Sequence, residues 1–332
     1  MANRSNSCVL QPEATASGPR YDVLTDVIEH VHLEGTVYFM AELHAPWGIS
    51  IARAGRTPFY LVRAGGAQLQ MGTRGRVHQL TAGDFVLLPN AAPHVVRSGA
   101  GVPVVPFDDW LALHPLDDAG RSVQHGRGAL TRVIGGFFSS GGTTANPLFA
   151  ALPPLIVLKG DDANVRRWLE PTLAFIENEI ATRAQGATAV LHRMADVLFI
   201  QAVRAYAAHD RGAGGVLRGM SDRRIAQTLA LLHERYREPW TLDSLARAAG
   251  MSRTALAVRF RELVGVAPMN YLAQWRITRA LRLMHEKPLD LEQLAHEVGY
   301  TSGTVLAKAF KRVTGQSPGR YRRGIGVFPA PA

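Results

Sequence analysis

Between residues 36 and 110 the chain alternates short apolar runs with small groups of Gly, Pro and polar residues. The runs are rich in β-branched and aromatic side chains, which is typical of strands rather than helices. The interruptions, among them GRTP, AGG, TAGD and NAAP, favour turns. The pattern predicts an all-β barrel or sandwich, with strands over TVYFMAEL, PFYLVRA, AQLQMG, VHQL, FVLLP and HVVRS.

After Pro147 the spacing of apolar residues changes to steps of three and four, which predicts helices over 165–182 and 187–208. The second helix carries a stripe that consists of Leu191, Met194, Leu198, Ala202 and Tyr206. This stripe is wider than one packing partner in a small domain needs, so we expect the helix to mediate homodimerisation of the protein. The alternative is that it packs on the β region or on the helix before it.

The last third of the chain contains an internal repeat. LARAAGMSRTALAVRFRELVGVAPMNY, from Leu245, matches LAHEVGYTSGTVLAKAFKRVTGQSPGRY, from Leu294. The offset between the copies is 49 residues before the turn and 50 after it, so the second copy has one extra residue there. Two copies are too few for a solenoid, which needs about three.

Each copy has the parts of a helix-turn-helix. A polar residue caps the first helix, a glycine with an expected positive φ angle forms the turn, and a serine caps the second helix. In chain order these residues are Thr241, Gly250 and Ser252 in the first copy and Asp290, Gly299 and Ser302 in the second. Gln293 is placed to complete a capping box with Asp290. We expect the outward face of each second helix to contact DNA.

Between the copies, residues 268–287 form one continuous helical pattern. Pro268 suits the first turn of a helix, and Pro288 ends it. About 17 residues span roughly 25 Å at 1.5 Å per residue. Together with the helix-turn-helix units at its two ends, a helix of this length holds the second helices of the two units about one DNA turn, roughly 34 Å, apart. One chain is therefore expected to read two successive major grooves.

The charge distribution also indicates a DNA partner. From Ser221 to the end the chain has 18 Lys and Arg against 9 Asp and Glu, whereas the net charge of the whole chain is +10. Nearly all the excess positive charge therefore lies in the repeat region, as expected of a module that binds a polyanion. The alternative is a basic surface that is only solvated.

The chain has 332 residues, enough for two domains, and its patterns predict an α+β multidomain protein. No apolar run reaches the 18 residues of a membrane span. The single cysteine, Cys8, cannot form an internal disulfide, which favours the cytoplasm. The expected parts are a flexible tail (1–20), a β-rich domain (21–150), a helical linker and dimerisation region (151–210), a flexible linker (211–220) and an all-α domain with two helix-turn-helix motifs (221–325).

The repeat resembles the AraC/XylS family of bacterial transcription regulators. The motifs that carry this resemblance are WTLDSLARAAGMSRTALAVRFRELVGVAPMNYLAQWRITRALRLM and LEQLAHEVGYTSGTVLAKAFKRVTGQSPGRYRR. DVLTDVIEHVHLEGTVYFMAELHAPWGI and NPLFAALPPLIVL resemble the cupin-like β-barrel sensor of one subgroup. The resemblance implies a sequence-specific DNA-binding regulator, expected to be an activator that engages RNA polymerase. Its sensor domain is expected to respond to a small molecule or a stress signal.

The resemblance also implies which side chains meet DNA. Alignment of the two copies places base contacts at Thr254, Ala257, Val258, Thr304 and Lys308. The family often has arginine or glutamine where Val258 and Gly303 stand. Because Ala and Val touch thymine methyl groups but make no bidentate contact to guanine, the first recognition helix is expected to discriminate less. The candidates for phosphate contacts, each of which is alternatively a solvated side chain, are Arg253, Arg259, Arg261, Arg276, Lys311 and Arg312.

GDFVLLPNAAPH, residues 83–94, resembles the second motif of a cupin metal site. A metal-binding cupin also has two histidines and a carboxylate in a first motif. The corresponding stretch here, RTPFYLVRAGG, has Tyr60 but neither histidine nor glutamate. We therefore expect His94 to be packed or hydrogen-bonded, the alternatives being a pocket residue or a metal ligand.

This comparison favours a sensor without metal or cofactor over an enzyme, with Tyr60 and His94 as candidates for an effector pocket. The alternative is a metal-dependent cupin enzyme fused to a DNA-targeting module. Gly135 stands where some relatives carry an oxidant-sensing cysteine, so sensing through a thiol is not expected.

Overall fold

The computed structural model describes residues 21–29, 33–52, 56–72, 75–90, 92–117, 121–140, 146–182, 184–209 and 215–324. The expected tail (1–20) lies outside these residues, as do 211–214 of the expected linker. The strands are β1 (Leu33–His44), β2 (Gly48–Ile51), β3 (Arg56–Ala64), β4 (Gly66–Met71), β5 (Val77–Thr81), β6 (Phe85–Leu87), β7 (His94–Arg97), β8 (Val105–Pro106), β9 (Arg121–Gln124), β10 (Leu130–Ser140) and β11 (Ile156–Leu158).

The helices belong to two groups. Those of the N-terminal domain are α1 (Val23–Glu29), α2 (Phe107–Leu113), α3 (Pro147–Ala151), α4 (Ala163–Thr182) and α5 (Ala187–His209). Those of the C-terminal domain are α6 (Gly215–Met220), α7 (Arg223–Glu234), α8 (Leu242–Ala248), α9 (Arg253–Val264), α10 (Pro268–Glu286), α11 (Leu291–Glu297), α12 (Gly303–Thr314) and α13 (Pro318–Gly324). None of the described helices is long and apolar enough to cross a membrane.

The N-terminal domain contains two sheets, ordered β11-β6-β3-β10-β1-β9 and β5-β4-β7-β2-β8. All six strands that the apolar runs predicted are present. Because side chains alternate along a strand, β3 contributes to two cores. Tyr60 and Val62 lie in the core between the sheets, with residues such as Ile49 and Leu69 of the second sheet. Phe59 and Leu61 belong to a different core, on the outer face of the six-stranded sheet.

Helix α5 covers that outer face, in contact with β1, β11 and α4. Leu198 and Ala202 of its apolar stripe are buried, and Leu191, Met194 and Tyr206 pack against the same core. The stripe is thus used within the chain, as the alternative interpretation had it. The width of the stripe therefore no longer supports a homodimer.

The segment predicted to be a flexible linker is partly a helix. In α6, Val216, Leu217 and Gly219 are buried, and the helix packs between α3 and α9. A Cβ on Gly219 would lie 2.7 Å from Val264 Cγ2, so the glycine permits this close approach. The prediction of a flexible linker is therefore wrong for residues 215–220, where a glycine permits close packing of a helix.

The C-terminal domain divides between two hydrophobic cores. Leu256 and Phe260 of α9 belong to the core that begins under the six-stranded sheet and also includes α1, α3, α6 and α7. Leu306 and Phe310 of α12 belong to a separate core with the second half of α10. The first helix-turn-helix is therefore packed onto the N-terminal domain, and the second has a core of its own.

Candidate DNA-binding surface and sensor cavity

The two helix-turn-helix units, α8–α9 and α11–α12, have the same local geometry. The turn glycines have positive φ angles, +64° at Gly250 and +81° at Gly299, as predicted. Ser252 and Ser302 cap the second helices by accepting from Ala255 N and Val305 N. Both first helices have a capping box: Thr241 pairs with Ser244 and Asp290 pairs with Gln293. Ser244 was not foreseen, because the usual partner at that position is Glu or Gln.

The side chains predicted to contact bases lie on the outer faces of α9 and α12. Thr254, Val258, Thr304 and Lys308 are exposed and Ala257 is half-buried. Val305, which was not among the predicted base contacts, is 44% exposed between Thr304 and Lys308. The 19 residues of α10, about 28 Å at 1.5 Å per residue, join the two units without a break.

The predicted phosphate-contact residues differ in their partners. Arg261, Lys311 and Arg312 are exposed. Arg259 pairs with Asp222, the residue that caps α7, and this guanidinium is the largest factor that lowers the pKa of the Asp222 carboxyl. Arg253 lies 3.7 Å from Asp243 in an exposed ion pair, a type worth at most about 1 kcal/mol.

Arg276 is used inside the domain. Its Nε donates to the carbonyl of Tyr236 at 2.8 Å and its Nη2 to the carbonyl of Glu238 at 2.7 Å. Its guanidinium also lies 5.3 Å from the ring centroid of Tyr300, in the second unit. Arg276 therefore fixes α10 against the segment between α7 and α8 and against the second unit, which explains its presence without a phosphate.

The space at Gly303 is filled by the neighbouring helix. Glu292 of α11 accepts a hydrogen bond from Gly303 N at 2.8 Å. A Cβ at this position would lie 2.9 Å from Glu292 Oε1 and 3.0 Å from Leu291 Cγ. A larger residue here would therefore displace Glu292 from the start of α12, which is why glycine suits the position.

An apolar cavity of about 30 Å³ lies between the two sheets, enough for about two water molecules. It is lined by Phe39, Ala41, Leu43, Trp47, Ile49, Ile51, Tyr60, Val96, Phe107, Val133 and Phe137. Gly135 makes room for one wall, since a Cβ there would lie 2.5 Å from Phe39 Cζ. Tyr60 thus points inward, as the alignment predicted.

His94 is buried beside the cavity, with both ring nitrogens in hydrogen bonds. Nε2 lies 2.7 Å from the Tyr60 hydroxyl and Nδ1 lies 2.8 Å from the Ala92 carbonyl. A neutral ring satisfies both bonds if Nδ1–H donates to the carbonyl and Nε2 accepts from the hydroxyl. Burial lowers the pKa of His94, which favours this neutral form. This arrangement corresponds to the packed, hydrogen-bonded histidine of the main expectation.

The rest of GDFVLLPNAAPH forms a tight junction. Gly83 has a φ angle of +91° and packs against Gly160. Buried Asp84 accepts from Thr81 N at 2.9 Å and from Gly160 N at 3.0 Å, and pairs with Lys159. The motif therefore joins β6 to the segment after β11. Among the described residues, no three His, Cys, Asp or Glu side chains are grouped to hold a metal ion.

Comparison with known proteins agrees with this two-part architecture. The Cupin family profile matches residues 22–208, and that of a helix-turn-helix domain matches 245–324. An AraC-like transcription regulator of Streptomyces lividans is 30% identical over 308 residues, which cover 92% of this chain and 98% of that protein. The chain belongs to the AraC family of transcription regulators.

Two further similarities are to a helix-turn-helix transcriptional regulator and to the DNA-binding domain of a global transcriptional factor. The regulator AlkR of Acinetobacter baylyi is 28% identical over 309 residues, covering 91% of this chain and 99% of AlkR. The DNA-binding domain of AdpA, solved in complex with a target DNA, is 34% identical over 30% of this chain and 89% of that chain, with a TM-score of 0.29.

As a member of the AraC family, the protein is a DNA-binding transcription regulator with a cupin-type N-terminal domain. Its relatives are regulators, so the alternative of a cupin enzyme with a DNA-targeting module is not supported. Helices α9 and α12, the second helices of the two repeat units, both lie within the residues that match the helix-turn-helix domain.

Proposed function

We propose that this AraC-family regulator reads two successive major grooves with α9 and α12, one recognition helix in each. The observation that carries this proposal is the pair of exposed recognition faces joined by the unbroken α10. The proposed base contacts are Thr254, Ala257, Val258, Thr304 and Lys308. The proposed phosphate contacts are Arg253, Arg259, Arg261, Lys311 and Arg312. Arg276 is left out because its Nε and Nη2 donate to backbone carbonyls inside the domain.

The second recognition helix is proposed to dominate the choice of sequence. Lys308 can donate to guanine O6 or N7, whereas Ala257 and Val258 offer only apolar contact. Selection of binding sites from randomised DNA tests this directly. It should give two blocks of preference about 10–10.5 base pairs apart, the sharper one under α12. A single block, or a sharper block under α9, contradicts the proposal.

We propose that the N-terminal domain senses a small apolar molecule in the cavity between its sheets. The lining side chains are almost entirely hydrocarbon, and the hydroxyl of Tyr60 is already bonded to His94. A ligand larger than two water molecules requires the cavity to widen. Benzene, which binds in apolar cavities of about 150 Å³, tests this widening and should raise the Tm of the wild type by binding the folded state. Ala41→Leu, which fills the cavity from one wall, should abolish that shift, and equal shifts in both proteins contradict the proposal.

The resemblance to the family supports three further assignments. We propose that the regulator acts in the cytoplasm as an activator, in contact with RNA polymerase. A homodimer is also proposed, through the exposed apolar residues Phe175 of α4 and Val197 of α5, which are 47% and 38% exposed. Sedimentation should show a dimer at micromolar concentration that Val197→Asp converts to a monomer. A wild-type monomer under these conditions excludes the dimer.

A further inference from the structure

A buried chain of polar side chains crosses the boundary between the N-terminal domain and the first helix-turn-helix. Asp26 comes from α1, His233 from α7 and Tyr271 from α10. His233 is 1% exposed, Tyr271 0% and Asp26 9%. Tyr271 belongs to the hydrophobic core that joins the two domains, as does Val27, the neighbour of Asp26. The ring of His233 lies 4.1 Å from that of Trp275 in the same core.

The hydrogen bonds in this chain have one consistent direction. His233 Nδ1 lies 2.6 Å from Asp26 Oδ2, and His233 Nε2 lies 2.7 Å from the Tyr271 hydroxyl. A neutral imidazole satisfies both bonds if Nδ1–H donates to the carboxylate and Nε2 accepts from the tyrosine. Burial lowers the pKa of His233 in spite of the nearby carboxylate, which favours the neutral ring. Arg279, 4.0 Å from Asp26, offsets the carboxylate charge.

This series of hydrogen-bonded side chains ends at the first recognition helix, α9. The ring of Tyr271 makes an edge contact with Phe260 of α9, with centroids 5.7 Å apart and planes at 74°. Phe260 is fully buried on the inner face of that helix. Continuous contact therefore runs from α1 through α7 and α10 to the helix whose outer face is proposed to read bases.

The second repeat provides an internal comparison. Tyr321 stands 50 residues after Tyr271, and its ring meets Phe310 of α12 with the same centroid distance of 5.7 Å. Its hydroxyl, however, lies 3.2 Å from Nε2 of His285, which belongs to α10 and is exposed. The tyrosine–phenylalanine contact thus occurs in both repeats. In the first repeat, the histidine that bonds to the tyrosine also bonds to a carboxylate from α1.

We propose that Asp26, His233 and Tyr271 position the first recognition helix relative to the N-terminal domain, so that a change at α1 reaches DNA through the first repeat. Buried hydrogen bonds suit this role because they are directional and costly to leave unmade. A displacement of α1 breaks the bond to His233 and favours another arrangement of the chain.

The test uses the full chain and DNA selected by the wild-type protein from a randomised library. Hydroxyl-radical footprinting measures occupancy of each groove block in Asp26→Asn, Tyr271→Phe and the double variant. Each single change should alter affinity for the block under α9 by about 5- to 150-fold, the usual range of coupling between sites. The double variant should match the single variants, because both changes break one network. Additive effects, or equal losses at both blocks, overturn the proposal.

Two controls separate positioning from simple loss of stability. Tyr321→Phe, the same chemical change in the second repeat, should leave the block under α9 unchanged. Val27→Ala removes apolar packing in α1 next to Asp26 and should lower the Tm without changing the ratio of the two blocks. If either control shifts that ratio as much as Asp26→Asn does, the proposal is wrong.

A measurement on the wild type covers the case in which the variants fail to fold. Coupling between two sites is reciprocal, so DNA binding should change amide hydrogen exchange in α1 as well as in α7. The N-terminal half of α4, a helix that packs against α5, is the reference segment and should not change. Unaltered exchange in α1 on DNA binding overturns the proposal.

Discussion

Replacement of Phe310 by alanine should unfold the second helix-turn-helix and leave the rest of the chain folded. Phe310 is 0% exposed in a core whose members, among the residues that the structure describes, lie in the segment from α10 to α13. Truncation of a buried phenylalanine costs about 3–5 kcal/mol. A unit of about 50 residues has a free energy of unfolding of roughly 2–7 kcal/mol. The substitution therefore removes most of the stability of this unit.

The matched variant is Phe260→Ala, the same change at the equivalent position of the first repeat. Phe260 is also fully buried, but its core extends from the six-stranded sheet to the first half of α10. The same loss of about 3–5 kcal/mol is shared by a much larger cooperative unit. We expect a lower Tm for the main transition and no separate unfolding of the first repeat.

Hydrogen exchange of the full chain distinguishes these outcomes, because it reports local and global opening separately. In Phe310→Ala, amides of α11 and α12 should lose protection while those of β3 and α5 keep it. In Phe260→Ala, protection should fall together in α9, α7 and α5. Loss of protection in β3 on replacement of Phe310 would show that the two cores unfold as one unit and would contradict this prediction.

Three further outcomes follow from the structure. Lys308→Ala should relax discrimination at one or two base pairs by about 1–3 kcal/mol, measured on matched and mismatched DNA, whereas loss of a residue that contacts only phosphate should weaken all sequences equally and lower the salt slope by about 1. Gly135→Ala should cost about 1–3 kcal/mol by overpacking and abolish the benzene shift, with Gly99→Ala, which meets nothing within 4 Å, as the neutral control. Burial lowers the pKa of His94 and His233 from the ordinary 6.5. Below that pH the unfolded chain therefore takes up protons that the folded chain does not, and stability falls by up to about 1.4 kcal/mol per pH unit for each histidine. Urea unfolding at pH 7.5 and 5.5 measures this loss. The unfolding midpoint should fall less between these two pH values in a His94→Gln variant than in the wild type, and an equal fall in both proteins would contradict the prediction.

The features that the sequence determined by itself depend on neighbours along the chain. The caps at Thr241 and Asp290, the turns at Gly250 and Gly299 and the unbroken α10 need only residues a few positions apart. The strands of the N-terminal domain follow from alternation in the same way. Local propensity and periodicity decide such elements, so the double helix-turn-helix and its outward faces could be predicted from the sequence.

Tertiary structure decided how these elements share their contacts. The apolar stripe of α5 predicted a partner surface, but a stripe cannot show whether that surface lies within the same chain or on another. The sequence alone could not distinguish Arg276 from a phosphate-binding arginine. In the structure it donates to the backbone carbonyls of Tyr236 and Glu238. Asp26 and His233 are 207 residues apart, and neither gives a local signal that it will meet the other. Contacts of this kind depend on how the whole chain packs, and so does the coupling of the first recognition helix to the N-terminal domain.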